Sequence, residues 1–245
     1  MTTTRLSTRI SLRWPPETPF ENTDTLVLSV GNWYVDLRVD TTTRAIDWAI
    51  AGERLPAKDS NEVLFTHELD SRNTFGVADC GAFSALPNGD DLEVGSMPRP
   101  DLPGAPVREY EEVWRELPPR PMNHGMIGPS FILESVVDRE GLAEGDEREV
   151  DRTFIGMISG TYIVLRQRQI HARRNSKLVI VSGGEVSAWR EDYAEGFDEF
   201  QVTYMLGPEA MGLPASGRIP FDTLDGSQKR IVVWGQEYVV RSFKA

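Results

Sequence analysis

The sequence predicts an all-β protein: two consecutive antiparallel β-barrels joined by a Pro-rich connector with one short helix. Three observations carry this expectation. Period-two hydrophobic runs bounded by turn signals fill most of the 245 residues. Nine of the sixteen prolines fall between Leu86 and Pro129. A weak internal repeat relates Tyr34-Val-Asp-Leu-Arg38 to Tyr162-Ile-Val-Leu-Arg166, each a few residues after a glycine, Gly31 or Gly160.

Taken in order, TLVLSVGNWYVDLRVD, AIDWAIAG, NEVLFTHEL and NTFGVADCGAF read as strands before the connector. SFILESVV, TFIGMISGTYIVLRQRQ, KLVIVSGGEVSAW, EFQVTYML and QKRIVVWGQEYVVRSF read as strands after it. Turn chemistry separates them in DTTTR, LPNGD, Gly183-Gly184 and LDGSQ. Proline lacks an amide donor and restricts the residue before it, so the dense stretch interrupts the strands. Within it, VREYEEVWREL sets Val107, Tyr110, Val113, Trp114 and Leu117 near one face of a short helix. The division is residues 1–105 for the first barrel, 106–129 for the connector and 130–245 for the second barrel. A barrel of about eight strands holds a single small ligand. The apolar positions Trp33, Val35, Leu37 and Val39 are expected to point inward, with Tyr34, Asp36 and Arg38 opposite. Ile163 and Leu165 form the corresponding inward pair, with Tyr162 and Arg166 opposite.

Composition narrows the partners. The formal charge of -12 argues against nucleic acid and against an anionic membrane surface. The single cysteine, Cys80, excludes a disulfide framework and multi-cysteine metal sites. No run of eighteen apolar residues appears, and MTTTRLSTRISLRW lacks the apolar region of a signal peptide. The expectation is therefore a cytoplasmic protein without membrane insertion. His67, His124 and His171 are scattered without metal-binding spacing, and GxSxG, GxGxxG and Walker sequences are absent, so no metal and no cofactor is expected. His171, beside Arg173 and Arg174, reads as a solvated loop residue, and Cys80 as an inert, half-buried strand thiol. The pairs Glu111-Glu112 and Asp90-Asp91 read as solvating the connector.

Polar tips and aromatic rings on inward faces are the remaining signal. His67, between Phe65 and Leu69, and Tyr204, at the equivalent place in the second half, are the candidate catalytic hydrogen-bonding groups. A core side chain bonded to backbone or water is the competing reading for each. Trp33, Trp48, Phe65 and Trp234 would shape a pocket, with Arg38 and Arg166 over an aromatic ring by cation–π contact or exposed on a strand. Such a pocket catalyses by holding two reactants in one geometry and polarising a carbonyl.

The blocks TLVLSVGNWYVDLRV, IDWAIAGE, LFTHELDSRN and EEVWRELPP resemble a fungal family named as interactors of a casein-kinase-1-type protein kinase. TFIGMISGTYIVLRQRQ and the strand-rich ending are similar to it in layout. The resemblance implies two lipocalin-like β-barrels and no established active site. In architecture, size and missing cofactor motifs the chain also resembles fungal β-barrel pericyclases, cofactor-free hetero-Diels–Alderases of tropolonic sesquiterpene biosynthesis. Two functions are thus expected: a cofactor-independent cyclase acting on small apolar metabolites in secondary metabolism, or a non-catalytic interaction protein that binds a kinase or another basic partner.

Overall fold

A computed structural model describes residues 2–58, 60–77, 79–99, 101–123, 125–137, 142–221, 224 and 226–245; His124 lies outside them. The first half contributes β1 (Thr4–Arg13), β2 (Thr23–Val30), β3 (Trp33–Asp40), β4 (Ile46–Pro56), β5 (Glu62–Phe65), β6 (Leu69–Asp70), β7 (Asp79–Ala85), β8 (Asp91–Pro98) and β9 (Val107–Leu117). All pairings are antiparallel, and β1-β2-β3-β4-β5-β7-β8-β9 returns to β1, closing a barrel of eight strands. Short β6 pairs with the middle of β4.

The second half contributes β10 (Ser130–Ser135), β11 (Glu147–Ile158), β12 (Thr161–Arg174), β13 (Lys177–Gly183), β14 (Ser187–Ala194), β15 (Glu199–Leu206), β16 (Arg230–Val233) and β17 (Gln236–Lys244). The strand order is β15-β14-β12-β11-β10-β17-β16, with β13 pairing the far end of β12. The outer strands β15 and β16 do not pair with each other among the described residues, so this half is an open sheet where a second closed barrel was expected. Leu213, Ile219 and Leu224 enter its core instead, beside Phe131, Ile155, Tyr162 and Tyr238.

The expected helix at 107–117 is a strand. Its buried residues are Tyr110, Glu112 and Trp114, a period of two that the charge of Glu112 disguises. β9 pairs with both β1 and β8, so the first sheet extends past the expected boundary at 105 and the connection begins at Pro118.

The expected faces are also reversed. Leu26, Leu28, Val35, Leu37 and Val39 pack with Ile132, Phe154, Ile158, Ile163 and Leu165 in one core between the two sheets. The apolar face of β3 therefore lies outside the barrel, and Tyr34, Asp36 and Arg38 point into the lumen. Alternation shows which side chains share a face; it does not say which face is concave.

The repeated pentapeptides occupy equivalent places. YVDLR follows the two-residue turn Gly31–Asn32 and YIVLR the turn Ser159–Gly160, and like faces of the two hairpins meet. Gly156 sits in this seam, where a Cβ would come 3.3 Å from Val35 Cγ2. Around this seam, Arg152 pairs with Glu68 at 2.7 Å and Tyr204 donates a hydrogen bond to Asp24 at 2.7 Å, tying the halves together.

Leu37 is fully buried in the seam and touches no part of the lumen cavity. Leu37→Ala is expected to lower stability by about 2–5 kcal/mol through lost burial and an unfilled cavity. The urea midpoint checks this; an unchanged midpoint would contradict a shared core.

Candidate functional site

The lumen of the first barrel encloses a cavity of about 70 Å³. Its lining carries seven charged side chains: Asp36, Arg38, Glu93 and Glu112 at depth, and Arg5, Arg54 and Asp79 further around the wall. The aromatic lining comes from Tyr34, Trp48, Phe65, Phe83, Tyr110 and Trp114. Arg5 pairs in register with Ser29 and the Arg54 amide donates to Asn32, which places both near the end that carries the β2–β3 turn. At the opposite end Leu12, Trp14 and Tyr110 pack together, and Arg99 joins Glu17 and Asp101 over the Trp14 ring.

The deep charges are paired. Arg38 donates to Asp36 Oδ2 through Nε at 3.0 Å and Nη2 at 2.8 Å, and reaches Glu112 Oε1 at 3.5 Å. Arg9 donates to the same Glu112 oxygen at 2.6 Å and to Glu21 Oε2 at 2.7 Å. The Arg38 guanidinium also faces the rings of Trp48 at 4.8 Å and Trp114 at 5.5 Å. Burial disfavours its charge, but Asp36 and Glu112 outweigh burial and raise its pKa. Complete burial pushes the Asp36 carboxyl up despite Arg38.

Glu93 is held between two donors. Tyr110 Oη donates to its Oε1 at 2.9 Å and Trp114 Nε1 to its Oε2 at 2.8 Å. Burial, then the nearby Glu112 charge, push its pKa up to about 8. Two glycines make the room for this group. A Cβ on Gly81 would lie 2.2 Å from Glu93 Oε1, and one on Gly95 would lie 2.6 Å from the Tyr110 hydroxyl.

Some lumen groups lack partners. Asp36 Oδ1 is buried without a protein hydrogen bond, and Arg5 Nε, also without one, lies 3.8 Å from Glu116. Among the described residues Arg54 makes no ion pair or side-chain hydrogen bond; burial and the neighbouring Arg5 lower its pKa, and its guanidinium lies 5.9 Å from the Phe83 ring. Burial raises the Asp79 carboxyl, against the influence of His67. The lumen is thus built around charge pairs, with uncommitted donors and acceptors left at its wall.

The candidate residues disperse. Arg38, Trp48 and Phe65 share the lumen. His67 lies behind Trp48, ring to ring at 6.1 Å, with Nδ1 3.0 Å from Asp70 and Nε2 3.9 Å from Asp79. Burial works against the Asp70 charge, but hydrogen bonds from His67, Thr74, the Arg72 amide and Trp48 outweigh it and hold that carboxyl well below the usual range. Tyr204 sits at the seam, where Arg44 and Arg190 flank its ring, so His67 and Tyr204 do not converge. Trp33 stacks on Phe154 at 6.2 Å, also at the seam. Arg166 donates to Thr153 Oγ1 at 3.0 Å in the second sheet, and Trp234 is exposed beside Arg218.

Other expectations are corrected. His171 is buried on β12, 2.8 Å from Gln169 Oε1, because the strand runs on to Arg174. Cys80 is exposed on β7, with its thiol pushed up by desolvation and by Glu62, Asp79 and Glu93. Glu112 is a lumen residue and Asp90 a buried partner of Arg115. Sequence reasoning missed Asp36, Glu93, Glu112, Tyr34 and Tyr110 as a group. The available signal was the alternation Tyr110-x-Glu112-x-Trp114, charged residues among aromatic ones. Among the described residues no group of three or more His, Cys, Asp or Glu is arranged to hold a metal, and no helix is long and apolar enough to cross a membrane.

The raised Glu93 pKa sets a pH dependence. The folded chain holds this proton more tightly than the unfolded one, so the stability it contributes is full below the ordinary value of 4.5 and is lost as pH rises toward about 8. Glu93→Gln is expected to remove that loss, so the gap in melting temperature between variant and wild type widens in the variant's favour across this window. A constant gap would refute the assignment.

Comparison with known proteins adds the family. The profile described as "Protein HRI1" matches residues 5–206. No curated protein compared with the chain matches it in sequence. The crystal structure of the uncharacterized protein YLR301w from Saccharomyces cerevisiae is similar over 99% of each chain, with a TM-score of 0.71 and 16% identity, a likeness of fold. The match to the family profile spans the closed barrel and most of the second sheet, and the chain belongs to the HRI1 family.

Proposed function

We propose that this chain is a non-catalytic binding protein whose first barrel takes one small polar ligand. The observation that supports this is the lumen itself: a cavity of about 70 Å³ lined by Asp36, whose Oδ1 accepts no protein hydrogen bond, and by Arg54, which makes no ion pair among the described residues. Buried polar atoms are ordinarily satisfied, so a site that leaves several open suits a partner that completes them. The cyclase expectation draws support from Arg38, Trp48 and Phe65 sharing this lumen, where Arg38 would polarise a carbonyl. Two apolar reactants, however, would have to displace paired charges from a small space, which favours binding over cyclisation.

A role as partner of a casein-kinase-1-type kinase, in the cytoplasm, is the second reading. Its support is the -12 charge, which attracts basic surfaces, together with the resemblance stated above.

Native mass spectrometry against a set of small polar metabolites is expected to give a one-to-one adduct. Ser29→Leu, which fills the lumen, should weaken that adduct at least tenfold while the chain stays folded. Absence of any adduct would overturn the ligand reading. For the second reading, a purified casein-kinase-1-type kinase should be captured at low salt and released as the Debye length shrinks from about 10 to 3 Å at high salt. No capture at low salt would remove it.

A further inference from the structure

Three lumen residues stand in one row across three strands. Arg54 on β4 is the register partner of Phe65 on β5, and Phe65 is the register partner of Asp79 on β7. All three line the cavity. Neighbouring strands are about 4.8 Å apart, so the backbones of Arg54 and Asp79 stand about 10 Å apart with a phenylalanine between them. Arg54 has no ion pair or side-chain hydrogen bond among the described residues, though the Glu93 and Asp91 charges act on it; Asp79 accepts from the Cys80 amide, lies 3.9 Å from the His67 ring and feels the Arg38 charge. A guanidinium and a carboxylate in one small cavity would ordinarily pair; Phe65 holds them apart.

We propose that this row recognises a small zwitterion of amino-acid size, its carboxylate at Arg54, its ammonium at Asp79 and its apolar body against Phe65. This rests on the reading of the lumen as a ligand site and names the ligand class. Charge balance selects the class. A zwitterion places an opposite charge at both ends of the row, where a simple amine or a simple carboxylate would answer only one. Asp36 Oδ1, buried in the same lining without a partner, offers the ammonium a second acceptor. The Tyr34 ring, 5.5 Å from Phe65, and the Phe83 ring, 6.3 Å from it, complete an aromatic wall for an aliphatic side chain.

Titration calorimetry of the full chain with L-valine, isobutylamine and 3-methylbutanoate tests this. L-valine is expected to bind at one site, and each single-charge analogue at least tenfold more weakly. Arg54→Gln and Asp79→Asn should each cut L-valine affinity at least tenfold, with Arg54→Lys recovering part of it. Equal binding of all three probes, or unchanged affinity in both variants, would overturn the proposal. If L-valine fails to bind while other small polar molecules form the adduct that Ser29→Leu blocks, the zwitterion is wrong and the lumen reading stands. If nothing binds, both fall.

Discussion

The apolar seam between the two sheets is the constraint on which the rest of the structure depends. Leu28, Val35, Leu37, Ile132, Ile163 and Leu165 are buried there completely or nearly so. Burying such side chains contributes about 1.5–3 kcal/mol each, which makes a shared core of this kind a leading favourable term. Because the outer wall of the barrel supplies that surface, the apolar half of the alternating pattern is already committed. What remains for the lumen is Tyr34, Asp36 and Arg38 on β3, and Tyr110, Glu112 and Trp114 on β9.

A lumen filled in this way must solve an electrostatic problem. Isolated buried charges are strongly unfavourable, and the chain Glu21–Arg9–Glu112–Arg38–Asp36 answers this by alternating sign along a connected path. Glu93 falls outside that path: burial and the Glu112 charge raise its pKa, while donation from Tyr110 and Trp114 works the other way. Gly81 and Gly95 on neighbouring strands are as much a part of this solution as the charges, since any side chain there would collide with Glu93 or Tyr110.

The sequence made the all-β class, the first barrel and the likeness of the two hairpin motifs legible, because turn chemistry and period-two patterning are local. It made the side facing the lumen illegible, because that depends on a second sheet that no local pattern announces. Helix and strand were confused at 107–117 for a related reason. Tyr110, Val113, Trp114 and Leu117 satisfy helical spacing once Glu112 is assumed to be solvated, and only a charged lumen makes Glu112 an inward residue. Arg38, Trp48 and Phe65 were found because cation–π and aromatic signals are residue properties; Tyr204 and Trp33 carry the same signals but serve the seam.

The same odd-numbered face of β12 that packs Ile163 and Leu165 into the seam continues as Gln167 and Gln169. Gln167 donates to the Asp70 carbonyl at 2.8 Å and accepts from the Asp70 amide at 3.2 Å, while Gln169 donates to the Glu68 carbonyl at 3.0 Å. The Asp70 side chain meanwhile accepts from Trp48 Nε1 at 2.8 Å and lies 3.0 Å from His67 Nδ1. One residue thus faces two ways, its main chain held by the second sheet and its carboxylate holding the lumen wall. The shape of the cavity is therefore a joint property of both halves, because the main chain that carries the Trp48-binding carboxylate is held by the second sheet.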